Sequence, residues 1–397
     1  MNLTPHDIIV EFNKKTENEK LLNTIEVKRK ISRLKYSLKP LCSLLPIANM
    51  TVQNYLHSKN VANMNSQELQ SLPWDQPIVA NFEIIGNGFV AFLTSKNLMM
   101  NILKQIAVGS LTKGADGTYK LNIEGHPTIV SGVYDAENKF HLSKITHYFI
   151  ITFLAGFGIT SQEDEWSYER VFAFEKELFH KCFPDVEYNP KYLMADGALY
   201  IHEGAFLVWE NVTATLCSFH FFKSVKDKLC NKDYIPKVVI EDGKIGNKKV
   251  PKTLLEQFTS PSNISHDKKM NPTRILRQDI KVLQVLPNEE LFNKYLKIIK
   301  PFWIYFGRKF WDYFYANYLN QSTSQCRSGW QNYIQENSVT TNNSLEAFNR
   351  VMKEVMTKYT QLPITNYLES LCEEVKGRSL EATIVVNFPM TPQSICQ

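Results

Sequence analysis

The order in which hydrophobic periodicity changes between residues 111 and 220 restricts the fold of this chain more than any other feature. A strand pattern runs from about Gly114 to Ile123, a second from Thr128 to Tyr134, and a third, rich in β-branched and aromatic residues, from Leu142 to Leu154. The turn signal Asp135-Ala136-Glu137-Asn138 separates the last two. Three consecutive strands with short connections predict an antiparallel meander. The period then becomes helical, with Trp166, Val171, Phe174 and Leu178 on one face of a helix reaching Cys182 and capped within Ser161-Gln162-Glu163-Asp164. Tyr192-Leu193-Met194 is a short strand, Ala198, Ile201, Ala205 and Val208 recur at helical spacing, and Thr213 to Ser218 is a fifth strand. The order βββ-αβ-αβ predicts an α/β fold, a mixed sheet with helices on both faces.

The flanks have different textures. Phe82 to Leu93 is apolar and broken by Gly86 and Gly88, which predicts strands with a turn, and Leu98 to Ala107 reads as a short helix. Residues 1–77 form a polar N-terminal region with a basic cluster at Lys28, Arg29, Lys30, Arg33 and Lys35, either a solvated helix face or an arm for DNA contact or targeting. Residues 78–220 carry the first part of the core. Residues 221–335 read as a helical insertion, opened by Phe222, Val225 and Leu229 and interrupted by a Lys- and Gly-rich loop at Asp242 to Lys252. From Leu291 to Leu319 it is dense in aromatics, and Phe302, Trp303, Tyr305, Phe306, Phe310, Trp311 and Phe314 are expected to form its core. Residues 336–360 read as a helix that completes the core, and 361–397 as a C-terminal tail.

Charge and cysteine usage narrow the class. A net charge of +5 neither demands nor excludes nucleic acid, so basic residues must be read locally. Seven scattered cysteines argue against a disulfide framework and for a reducing compartment. Met1 to Lys15 lacks the apolar segment of a signal peptide, and the longest apolar run, Tyr148 to Ile159, is too short to span a bilayer. A soluble cytosolic or nuclear protein is expected.

Three carboxylates stand out. Asp116 precedes Gly117 on the first core strand, and Asp196 precedes Gly197 at the end of the fourth. Each Asp-Gly pair alone is as well explained by a tight turn. Their placement on strands expected to be neighbours brings both to one sheet edge, where open α/β sheets bind ligands. Glu346 follows Asn343-Ser344-Leu345 at a helix start, with Leu345, Phe348, Met352 and Val355 as the buried stripe and Glu346, Asn349, Arg350 and Lys353 beside it. Two readings of Glu346 stay open: completion of a capping box with Asn343, or a metal-binding acid next to a phosphate-binding face of Arg350 and Lys353. Three converging carboxylates suit a pair of hard divalent ions for phosphodiester chemistry.

Taken in order, Asp116-Gly117-Thr118-Tyr119-Lys120, Met194-Ala195-Asp196-Gly197-Ala198, Cys217-Ser218-Phe219-His220 and Thr341-Asn342-Asn343-Ser344-Leu345-Glu346-Ala347-Phe348-Asn349-Arg350 resemble the Mutator-like element (MULE) transposase domain, over roughly residues 80–360. The resemblance implies a ribonuclease H-like core, with the helical insertion between the last core strand and the catalytic helix. It implies that Asp116, Asp196 and Glu346 are the catalytic, Mg²⁺- or Mn²⁺-binding triad, and that Cys217 and His220 are the family's Cys/His motif. The implied substrate is double-stranded DNA, as transposon terminal repeats and target DNA, with nuclear action and a homo-oligomer that pairs two ends. Candidate DNA contacts are His220, Lys223, Lys226, Asn343, Arg350 and Lys353. Further basic residues of the insertion are Lys228, Lys248, Lys249, Lys252, Lys268, Lys269, Arg274 and Arg277. Cys217 and His220 alone do not make a tetrahedral zinc site; Cys230 could add a ligand, but no spacing demands it, and Cys217 is expected as a packed strand residue. Zinc-binding modules that flank this domain in many relatives have no counterpart here: residues 358–397 contain Cys372 and Cys396 and no histidine. The alternative reading is a domesticated, catalytically inactive DNA-binding or transcription-regulatory derivative. Loss of an acid would mark it, and all three are present.

Overall fold

The computed structural model describes residues 46–85, 88–109, 111–134, 153–235, 240–241, 244–245, 248–249, 272–320, 329–334 and 341–384. The chain divides into two units, Met1–Tyr55 and Leu56–Gln397. Of the first, the described part is the opening of helix α1 (Pro46–Ser58); the basic cluster at Lys28 to Lys35 lies outside the described residues.

The second unit is a mixed α/β structure, in which the short helix α2 (Ser66–Ser71), capped by Asn65, precedes the first strand. Its strands are β1 (Ile78–Ile85), β2 (Gly88–Thr94), β3 (Thr112–Thr118), β4 (Thr128–Tyr134), β5 (Phe153–Thr160), β6 (Tyr192–Ala195) and β7 (Thr213–Leu216), in a seven-stranded sheet of order β1-β2-β5-β4-β3-β6-β7. β3, β4 and β5 form an antiparallel meander, and β6 and β7 extend it beside β3 in parallel. Parallel neighbours need crossovers. The crossover from β5 to β6 is α4 (Glu165–Cys182), and that from β6 to β7 is α5 (Leu199–Val208). The β1–β2 hairpin adds two antiparallel strands on the β5 side.

Local chemistry sets these boundaries. Ser95 caps α3 (Lys96–Val108) by accepting from the Leu98 amide, and Gly109, at φ 80°, ends it in the left-handed conformation that glycine adopts without strain. Asp164 caps α4 through the Ser167 amide, within the predicted capping segment. The faces of the sheet alternate along each strand. Lys113 of β3 and Ser131 of β4 point to α4, where Lys113 Nζ lies 2.6 Å from Glu175 Oε1 and both side chains are fully buried. Ser131 and Tyr188 also donate to that carboxylate, at 2.5 Å each. On the opposite face Gly114 and Tyr134 meet α9 (Asn343–Val351), and the Thr128 hydroxyl lies 2.6 Å from that of Tyr367 on α10 (Ile364–Ile384).

A second apolar cluster belongs to the helices after β7: α6 (Ser218–Leu229), α7 (Pro272–Val285) and α8 (Glu289–Phe314), the last continued by a π-helical turn, Tyr315–Leu319. The aromatics predicted as its core mostly fill it; Trp303, Phe310 and Phe314 are buried against Trp330 and Phe221, and the Trp303 indole donates to buried Asp279 at 2.9 Å. Short strands β8 (Ile240–Glu241), β9 (Lys244–Ile245) and β10 (Lys248–Lys249) pair in the segment predicted as a loop.

Several predicted boundaries are corrected. The first core strand is Thr112–Thr118, not Gly114 to Ile123; Lys120 breaks the pattern with φ 66°. The third core strand is Phe153–Thr160 rather than Leu142 to Leu154, of which 142–152 lies outside the described residues. Its glycines disguised it, since they bear no side chain to show a period. A Cβ on Gly158 would come within 2.4 Å of Val171, so the strand needs them for close packing against α4. The fifth core strand stops at Leu216, and α6 starts at Ser218 rather than near Phe222. On α9 the stripe of Leu345, Phe348 and Met352 is buried, but Val355 is 53% exposed. The helix becomes π-helical over Met352–Met356, and the added residue per turn rotates Val355 out of the predicted face. Among the described residues no helix is long and apolar enough to cross a membrane.

Candidate metal centre

Strand register assembles the centre. The parallel pairing Thr112↔Tyr192, Lys113↔Leu193, Gly114↔Met194 continues to set Asp196 level with Asp116, one strand over. The pairing of β6 with β7, Ala195↔Leu216, continues to set Cys217 level with both. Asp196 sits where β6 ends. Its Oδ1 accepts from the Ala198 amide at 2.9 Å, and Gly197, at φ 90°, makes a bend that a side chain would strain.

Glu346 arrives from the far end of the chain. Helix α9 lies across β3 because Gly114 leaves room for it: a Cβ there would be 2.9 Å from Leu345 and 2.5 Å from Tyr134. Phe348 stacks on Phe157 of β5, with centroids 6.0 Å apart. The capping-box reading of Glu346 is corrected. The cap position is Asn342, not Asn343, and its side chain makes no cap bond; its Oδ1 accepts instead from the Tyr134 hydroxyl at 2.5 Å. Asn343 is the first helical residue and is exposed. The Glu346 carboxylate is therefore not committed to the helix start. One turn on, Asn349 Nδ2 donates to Asp116 Oδ2 at 2.5 Å, which ties α9 to β3 at the acid itself.

A fourth carboxylate joins them. Glu163, just before α4, rests on Gly117: a Cβ on that glycine would fall 2.2 Å from Glu163 Oε1. The hydroxyl of Tyr168 donates to Glu163 at 2.7 Å. Burial raises the Asp116 carboxyl to about 8, and the charges of Asp196, Glu346 and Glu163 add to the effect, opposed by the Asn349 hydrogen bond. Burial also raises Glu163, as does the charge of Asp196. Four carboxylates thus repel one another in a half-buried site, an arrangement that a divalent cation relieves. In the sequence Glu163 stands within the segment predicted to cap a helix. Only the pairing of β5 beside β4 brings the start of α4 to Asp116.

His220, on the first turn of α6, lies with Nδ1 3.4 Å from Glu346 Oε1. Lys223 and Lys226, one and two turns on, line a cavity of about 440 Å³ with Arg277 of α7, Phe219, Phe222 and Asp227. Three of the predicted basic contacts therefore share one groove, between α7 and α6, the helix that begins beside Glu346. Arg350 and Arg274 are exposed and Lys353 is half-exposed. Lys228 lies over the rings of Tyr234 and Tyr313, at 4.7 and 5.1 Å, so part of its role is packing. Lys248 and Lys249 lie on β10; Lys252, Lys268 and Lys269 lie outside the described residues. Cys217 is buried, as expected, but it follows β7 as the cap residue of α6 rather than lying on the strand, and Cys230 is exposed at the opposite end of α6.

Neither a protein-family model nor a curated protein matches the chain.

Proposed function

We propose that this protein is a metal-dependent DNA transposase of the Mutator-like type, with a ribonuclease H-like core, that cleaves and joins phosphodiester bonds through Asp116, Asp196 and Glu346. The observation that carries the reading is the convergence of Asp116 and Asp196, level on adjacent parallel strands, with Glu346 and Glu163 close enough to perturb Asp116. The strand order β5-β4-β3-β6-β7, antiparallel then parallel, supports the core assignment.

The residues fit hard divalent cations. All the donors are carboxylate oxygens, their charges act together on Asp116, and Glu346 Oε1 and Asn349 Oδ1 are buried without a hydrogen-bond partner among the described residues. Asp116, Asp196 and Glu346 would hold Mg²⁺ or Mn²⁺, with Glu163 as a further ligand or a nearby base. When bound, two such ions neutralise the scissile phosphate and polarise the attacking and leaving oxygens. Asn349 fixes the orientation of Asp116, and the Ala198 amide fixes that of Asp196. Lys223, Lys226 and Arg277 supply positive charge for a DNA backbone running along α6. Transposon ends and target DNA are the substrates on this reading, which places its action in the nucleus and calls for an oligomer to hold two ends.

The test is Mn²⁺- or Mg²⁺-dependent cleavage of DNA carrying the sequences that flank the gene, with wild type beside Asp196→Asn and Glu346→Gln. Cleavage by wild type that both variants lose, with DNA binding retained, is the expected result. DNA binding without cleavage by any of the three would replace this reading with that of a domesticated DNA-binding regulator.

A further inference from the structure

We propose that Cys217, His220 and Glu346 form a second cation site, selective for a thiophilic divalent ion of the zinc class and sharing only Glu346 with the carboxylate centre. One ligand atom from each of these residues lies within 4.8 Å of the other two. His220 Nδ1 and Glu346 Oε1 are 3.4 Å apart. Two ligands bound at about 2.0–2.2 Å to a tetrahedral ion stand about 3.4 Å apart, so this edge already has the spacing of a zinc site.

Two further observations point to a ligand. His220 Nδ1 and Glu346 Oε1 are both buried atoms, yet neither makes a hydrogen bond to any of the described residues. Polar atoms taken out of water without a partner are costly, and an ion between these two would satisfy both. The sulfur of Cys217 is prepared as an acceptor. It sits at the cap position of α6, takes the Asn342 amide at 3.2 Å, and is also faced by the amides of Phe219 and His220. Amides directed at sulfur stabilise the thiolate, and metal-bound thiolates are held in this way. Burial opposes ionisation of the free thiol; on binding, its proton passes to solvent as the sulfur–metal bond forms.

The donor set decides the ion. Thiolate and imidazole favour Zn²⁺ and disfavour Mg²⁺, whereas the neighbouring all-carboxylate centre has the opposite preference. Three protein ligands leave a fourth position open, and the side chains of His220 and Glu346 are 28% and 33% exposed, which provides a path from solvent. Because Glu346 serves both sites, a thiophilic ion held here draws that carboxylate toward Cys217 and His220, and weakens the grip of the acids on hard ions.

The probe is Co²⁺ titrated into the full-length protein with Mg²⁺ in excess, read by the sulfur-to-cobalt charge-transfer absorption and the visible bands of tetrahedral Co²⁺. One equivalent is expected to develop both signals. Cys217→Ser should abolish the charge-transfer band, His220→Ala should weaken Co²⁺ binding by at least about 10-fold, the least that loss of even an outer partner costs, and Asp196→Asn should leave the band in place. A wild-type protein with no charge-transfer band overturns the site, as does a band that survives Cys217→Ser. If Cys217→Ser does not fold, an unchanged affinity in His220→Ala is the refuting result. The readout needs neither DNA nor turnover, so absence of the band is distinct from absence of Mg²⁺-dependent cleavage.

Discussion

Asp116 is the group whose titration best reports the electrostatics of the carboxylate centre. In the metal-free protein it is raised to about 8, first by burial and then by Asp196, Glu346 and Glu163. An aspartate in the unfolded chain titrates near 3.9. Because the folded value is the higher one, the folded state holds this proton more tightly. The favourable contribution is complete below about pH 4 and is lost as pH rises toward 8. Each pH unit in that window removes up to about 1.4 kcal/mol, so the whole interval is worth on the order of 5 kcal/mol from this one residue. Asp116→Asn deletes the titration while leaving a group of the same shape beside Asn349. Urea unfolding of metal-free wild type and Asp116→Asn, at intervals from pH 4 to pH 8, isolates the effect, since all other groups are common to both. The two proteins are expected to be similar near pH 4, with the variant increasingly the more stable toward pH 8. Millimolar Mg²⁺ at pH 8 should stabilise wild type and do much less for the variant. Parallel curves across the range would refute the argument, because they would mean that the carboxylates are too far apart or too well solvated to repel one another.

Four other outcomes follow from named contacts. Lys113→Met leaves Glu175 buried without its cation and should cost about 3–5 kcal/mol in urea unfolding; adding Glu175→Gln should recover most of this, and an additive double variant would contradict the pairing. Gly114→Val places methyl groups where Tyr134 and Leu345 already lie, so it should cost about 1–3 kcal/mol and abolish cleavage by lifting α9 from β3, with DNA binding as the control. Glu163→Gln should weaken Mn²⁺ binding, by calorimetry, if this carboxylate joins the centre; unchanged affinity would reduce it to a helix-start residue. Replacing Lys223, Lys226 and Arg277 together should lower the dependence of log Kobs for duplex DNA on log[salt] by about 2–3 units, at about 0.9 per phosphate contact, whereas an unchanged slope would remove the groove from the DNA path.

The elements themselves were largely legible in the sequence, because helices and half-buried strands carry their period in local composition. Asp164 capping α4, the apolar face of α9 through Met352, and the aromatic core of the helical segment all depend on neighbours a few residues away. Strand Phe153–Thr160 was not legible for the same reason: glycines demanded by Phe92 and Val171 erased its pattern. The candidate acids could be named from the chain but not placed, since Asp116 and Asp196 are 80 residues apart and meet only through the β3–β6 register. Glu346 was ambiguous locally, because an acid three residues into a helix is equally a cap; contact of Asn342 with Tyr134, 208 residues away, removed that role. Glu163 and the proximity of Cys217 and His220 to Glu346 were decided by tertiary structure alone. Sequence periodicity reports what each segment buries. Which polar side chains then share a site depends on strand order and on the few positions, such as Gly114, where the absence of a side chain lets two elements touch.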